Sequence, residues 1–153
     1  MHPFRMLCFA LVLLGVVCGG PLCVARDLAI IVDKSNTSST VTAAELEKLL
    51  KALDQQWPDG KKVKVFLTNP DSPDSKMVVQ RLFKMPPDKV KSLIDSHKAD
   101  IQIAGSDDLI MTLVANNPGA IGIVNIYSIN SSVKVLKVDD KLPLEQGYLL
   151  HGN

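Results

Sequence analysis

The groups in this sequence that could do chemistry are few, and most of them are hydroxyls. Beyond residue 25 the imidazoles are His97 and His151, which do not stand at ligand spacing to one another, and no HExxH, GxSxG, P-loop or GxGxxG pattern occurs. His97 lies near the end of an expected helix, where a cation or ring donor serves the terminal carbonyls. Asp107-Asp108 and Asp139-Asp140 are adjacent carboxylates. Neighbours on a helix point apart, so the first pair reads as charge at a helix start and the second as a turn, not as acid/base couples. Enzymatic chemistry, a resident metal and a cofactor are therefore not expected. What remains are loops rich in Ser, Thr and Asn: 34–40, 68–75 and 105–107.

These loops take meaning from the elements around them. Leu28–Val32 is a continuous apolar, β-branched run and reads as a buried strand. Thr42 and Glu45 form a capping box, and Leu46, Leu49, Leu50 and Leu53 follow at helical spacing, predicting a helix over 42–54. A turn at Pro58-Asp59-Gly60 leads to a strand over 63–67. Ser72 is a candidate N-cap and Pro73 stands at the first helical position, where a missing N–H costs nothing. Met77, Val78, Leu82 and Phe83 give that helix its apolar face, and Pro86-Pro87 opens another. A strand over 101–104, a helix over 107–116, and strands over 120–124 and 133–138 complete the order, while the tail from Leu142 is uninformative. Strand and helix alternate, which predicts an α/β fold: a mostly parallel sheet with helices on both faces.

In open α/β sheets ligands gather outside the carboxyl ends of the strands. If the three polar loops lie there, two of them run into helix starts, whose free N–H groups and partial positive charge suit an oxyanion. The candidate ligand-binding residues are Ser35, Asn36, Ser72, Ser75 and Ser106. The plainer reading stands beside this one: Ser and Asp at helix starts are ordinary caps. Asp71, Asp74, Asp107 and Asp108 crowd the same termini, and each repels an anion unless it accepts a proton from it. Trp57, the single tryptophan, precedes a turn and is expected to cover the core.

Composition bounds the rest. The chain has 153 residues. Arg5, an apolar run from Met6 to Val17, a Gly-Gly-Pro break and Cys23-Val24-Ala25 have the layout of a secretory signal peptide over 1–25, leaving one domain over 26–153. Cys8, Cys18 and Cys23 all fall in the leader, so the exported part offers no thiolate, disulfide or Cys-bound zinc. Neither Cys18 nor Cys23 follows the Leu-x-small pattern of a lipid-attachment cysteine. Losing Arg5 takes seventeen Lys and Arg to sixteen, equal to the sixteen Asp and Glu. A neutral chain lacks the basic excess of nucleic-acid or anionic-membrane binders. Past the leader no apolar run approaches the roughly 20 residues that span a bilayer. The expectation is a periplasmic or secreted protein that is not integral to the membrane.

Three segments carry a family resemblance. Leu28–Asp33 with Lys34-Ser35-Asn36 and Val41-Thr42-Ala43-Ala44-Glu45-Leu46 is similar to the start of the second lobe of phosphate-binding proteins of bacterial ABC importers. Gln56-Trp57-Pro58-Asp59-Gly60 resembles that family's Trp-x-Asp-Gly turn. Asn117-Pro118-Gly119-Ala120-Ile121-Gly122-Ile123-Val124 resembles its Pro-Gly-Ala-Ile-Gly-Tyr-Val signature, with Ile123 where Tyr is usual. The likeness runs from about residue 27 to 138 and is greatest to short single-lobe members. It implies one lobe of a type II periplasmic-binding protein, a small oxyanion (phosphate) as ligand, and an ABC permease or cell-envelope protein as partner. The family's Arg and Ser-Gly-Thr at a helix start correspond here to Ser72-Pro73-Asp74 with no Arg in the preceding strand, so only Ser72 carries over. The alternative is an interaction module of the cell envelope that has lost solute binding.

Overall fold

A computed structural model describes residues 26–53 and 56–152. The expected signal peptide lies outside the described residues. Six strands form one sheet: β1 (Leu28–Val32), β2 (Thr40–Val41), β3 (Lys64–Leu67), β4 (Ile101–Ile103), β5 (Ala120–Asn125) and β6 (Lys134–Val138), in the order β2-β6-β1-β5-β3-β4. The pairs β2/β6, β3/β4 and β3/β5 are parallel, whereas β1 is antiparallel to both β5 and β6. Five strands therefore run one way and the sheet is mostly parallel as predicted, with β1 as the exception at its centre.

Helices cover both faces. On one side α1 (Ala43–Leu50), α2 (Pro73–Val78) and α3 (Pro87–Ser96) pack over Leu28, Ile30, Val32, Val65, Ile121 and Ile123. On the other, α4 (Asp107–Asn116) lays Ile110, Met111 and Val114 on Ile31, Phe66 and Val124. Every residue of β1 is buried, because a central strand covered on both faces has no polar side. Gly122 lies under α4 for a steric reason: a Cβ there would stand 2.6 Å from Ile110 Cγ2 and 3.0 Å from Val114 Cγ2. Among the described residues no helix is long and apolar enough to cross a membrane.

The local signals worked as physical devices. Thr42 caps α1 with the full capping box, Ser72 accepts from Ser75 N ahead of Pro73, and Ser106 accepts from Leu109 N. The first helix is shorter than the predicted 42–54; it stops at Leu50, and Ala52 turns the chain with φ 55°. α2 continues into a π-helical turn over Val79–Phe83, ended by Lys84 at φ 51°. Strand β2 falls at the end of what reads as loop, since two residues carry no periodicity. The tail, uninformative in sequence, buries Tyr148 and Leu150, and Leu28 N donates to Leu150 O at 3.2 Å.

Candidate functional site

The direction of β1 decides which loops meet. β3, β4 and β5 end together, and the start of β1 lies beside the end of β5, Leu28 opposite Asn125. The mouth formed there is lined by Thr68, Pro70, Asp74, Ser75, Asp107 and Asn125 above an apolar floor that includes Leu28, Leu67 and Ile123.

Ser72 and Ser75 lie together at the start of α2. Ser72 Oγ caps α2 by accepting from Ser75 N at 3.2 Å and donates to Ser75 Oγ at 2.9 Å. Ser75, which is buried, also lies 3.0 Å from Thr68 Oγ1. Ser106 is exposed at the head of the neighbouring crossover, capping α4 at 3.2 Å. Ser35 and Asn36 do not join them, and this corrects the expectation that all three loops line one crevice. Because β1 is antiparallel, its carboxyl end abuts the amino ends of β5 and β6. There Asp33 Oδ2 accepts Gly119 N at 2.8 Å, and Lys134 Nζ donates to Asn36 O at 2.6 Å. Ser35 binds Asp33 and Lys61, while Asn36 is buried with its Oδ1 holding Ser38 N at 2.9 Å.

The same reversal delivers a cation to the mouth that sequence reasoning missed. Arg26, just before β1, pairs with Asp74 at 2.7 Å. Lys91 pairs with Asp71 at 3.0 Å. Asp107 Oδ2 accepts Asn125 N at 3.0 Å and Ser128 Oγ at 2.8 Å. Three of the four carboxylates expected to repel an anion are thus compensated or engaged. The pairs are solvent-exposed and add little stability, about 0–1 kcal/mol each, but they flatten the local field. Asn125 was within reach of the rule used for the other loops, since it ends a strand. Arg26 carries no local signal at all.

The cavity beneath the mouth has a volume of about 20 Å³. That is room for about one water, not for a tetrahedral oxyanion. An anion at this mouth therefore rests on an open wall, where water competes for every contact.

The other candidate residues have plain structural roles. Trp57 is buried and its Nε1 donates to Gly119 O at 2.9 Å. His97 closes α3, its Nδ1 lying 3.0 Å from Leu93 O. Asp139 accepts Ala43 N at 3.0 Å, and both Asp139 and Asp140 hold positive φ in a turn. Among the described residues no group of three or more His, Cys, Asp or Glu could hold a metal ion.

No family model and no curated protein matches the sequence. Solved structures do match the fold. The ABC-type phosphate transport receptor from Vibrio cholerae superposes with a TM-score of 0.70 at 21% identity, over 84% of this chain and 55% of its own. PstS from Borrelia burgdorferi gives 0.68 at 16% identity, again over 84% and 55%. A phosphate ABC transporter substrate-binding protein with bound phosphate from Clostridium perfringens gives 0.63 at 19%, over 76% and 46%. The chain thus has the fold of part of a phosphate-transport receptor and spans about half the length of the receptors it matches.

Proposed function

We propose that this chain is an exported, non-enzymatic, solute-binding-like protein whose mouth receives a small oxyanion, phosphate by analogy with the receptors that share its fold. Ser106 offers a hydroxyl at the start of α4, Ser72 offers one once it gives up its bond to Ser75, and Arg26 offers the nearby positive charge. The observation that carries this reading is a mouth at the carboxyl ends of β3, β4 and β5 whose lining includes Asp74, Ser75 and Asp107, from the first turns of two capped helices, with Arg26 paired to Asp74. Asp74 can accept a hydrogen bond from a protonated oxyanion, which distinguishes hydrogen phosphate from sulfate.

A single wall cannot dry its ligand, and charge-assisted hydrogen bonds strengthen only as water is excluded. In this reading a second wall, supplied by an ABC permease or another cell-envelope protein, completes the site. Export to the periplasm or beyond belongs to the same proposal and rests on the leader-like first 25 residues.

A second reading has its own support. The cavity holds about one water, and the Ser72 and Ser75 hydroxyls satisfy one another. Tyr127, 77% exposed, stands two residues beyond Asn125, and Leu109, 46% exposed, sits in the first turn of α4. These features suit an interaction module that no longer binds solute.

Isothermal titration of the purified protein with phosphate and with sulfate separates the two. Saturable heat with phosphate, weaker with sulfate, supports the first reading. Absence of heat with both, from a folded sample, leaves the interaction module.

A further inference from the structure

A ligand-sized hollow lies apart from the mouth. A groove of about 440 Å³ is lined by Ser38, Thr40, Val41, Glu45, Leu49, Gln56, Trp57 and Pro58, and it shares no residue with the mouth. Its volume falls within the range of ordinary ligand sites, about 300–1,000 Å³. The floor is where the core reaches the surface, at the edges of Val41, Leu49 and Trp57, which are 8%, 6% and 3% exposed.

One wall of this groove is the edge strand of the sheet. β2 is the terminal strand of the sheet. Ser39 O accepts Lys137 N at 3.1 Å and Val41 O accepts Asp139 N at 2.9 Å, so both carbonyls face β6. Backbone groups alternate sides along a strand, which leaves the intervening Thr40 N–H and C=O on the outer edge. Natural sheets blunt such edges because they invite another backbone to pair. Among the described residues no backbone group pairs with the Thr40 N–H or C=O, and the edge borders the groove.

Charge narrows the occupant. Glu45 is the one charged residue in the lining. The Thr42 backbone N–H and hydroxyl both donate to its Oε2, at 2.8 and 2.9 Å, and hold the carboxyl below the ordinary carboxylate range. It is therefore ionised at neutral pH.

We propose that this groove binds an extended peptide segment of a partner protein, which pairs its backbone with Thr40, sets an apolar side chain on Val41, Leu49 and Trp57, and brings a basic side chain to Glu45. Strand addition supplies the affinity and the floor and carboxylate supply the selectivity. The site is independent of whether the mouth takes an oxyanion.

The test uses a fluorescein-labelled five-residue peptide of alternating Val and Thr with Lys at its centre, and its twin with Glu there. Polarisation measures affinity, and amide NMR shifts locate the site. The Lys peptide should bind saturably, roughly tenfold tighter than its twin, as charge complementarity would give. The shifts should centre on Thr40, Val41 and the Trp57 indole. Thr40→Pro removes the outward N–H and the Thr40 hydroxyl that accepts Asp140 N at 3.3 Å, while sparing the backbone bonds to β6, and it should weaken binding several-fold, whereas Thr40→Val, which loses only the hydroxyl, should not. Glu45→Gln keeps the capping-box geometry and should abolish the preference for Lys. No binding up to millimolar peptide, equal binding of the twins, or shifts centred on Ser72 and Asn125 would each overturn the assignment.

Discussion

Asp33 and Gly119, 86 residues apart, are joined by a buried hydrogen bond of 2.8 Å from the Gly119 amide to the Asp33 carboxylate. This bond ties the carboxyl end of β1 to the amino end of β5 and marks the reversal of β1 within a sheet whose other strands run together. Asp33 also takes the Ser35 amide at 3.0 Å.

Asp33→Ala leaves the buried Gly119 amide and the part-buried Ser35 amide without their acceptor. Hydrogen bonds to a charged group contribute about 1.5–3 kcal/mol, so the loss should lie at or above that range. Urea unfolding of variant and parent measures it. A change below about 0.5 kcal/mol, the size of an ordinary surface substitution, would mean water replaces the carboxylate at no cost.

Gly122→Ala places a methyl group against Ile110 and Val114 of α4. Overpacking of this kind costs about 1–3 kcal/mol. The same denaturation experiment reads it, and Ile110→Ala in the same chain should recover part of the overpacking cost by opening space at the contact.

Ser72→Ala distinguishes a cap from a ligand. Loss of the N-cap costs about 1 kcal/mol of stability in either case. If the mouth binds phosphate, titration should also show weaker binding, and Arg26→Gln should weaken it further with little change in stability. Unchanged phosphate affinity in both variants would remove these two residues from the site.

Tyr148 sets an alkaline limit. Burial pushes its hydroxyl up to about 12 from the ordinary 10. Below pH 10 the group is neutral folded and unfolded, and its packing contribution is intact. Between pH 10 and 12 the unfolded chain ionises there while the folded one does not, so stability falls as pH rises, by about 2–3 kcal/mol at the upper end. Tyr148→Phe should flatten that part of the profile relative to the parent, measured by urea unfolding from pH 9 to 11.5.

Much of the local structure was legible in the residues. Thr42 with Glu45, Ser72 before Pro73, and Ser106 before Asp107 are caps because a short side-chain oxygen beside free amides has one obvious use. The helix over 107–116 and the apolar runs of β1 and β5 follow from periodicity and from the need to hide β-branched side chains. Such signals involve neighbours within about a turn, so they do not depend on where the rest of the chain goes.

Strand direction is another matter. An apolar run reads the same whether it points up or down the sheet, so nothing in Leu28–Val32 distinguishes parallel from antiparallel pairing. That choice was made only by packing β1 between β5 and β6, and it rearranged the candidate site. It carried Ser35 and Asn36 to the far end and brought Arg26 to the mouth. It also decided that a tail without pattern would bury Tyr148 and Leu150 against β1. The sequence by itself determined most of the strands and helices, the two-residue β2 and the end of α1 excepted, and which hydroxyls cap them, because those are short-range matters of hydrogen bonding and hydrophobic spacing. Tertiary structure alone decided which loops share a space, because proximity between residues tens of positions apart depends on the direction and order of strands that local chemistry does not encode.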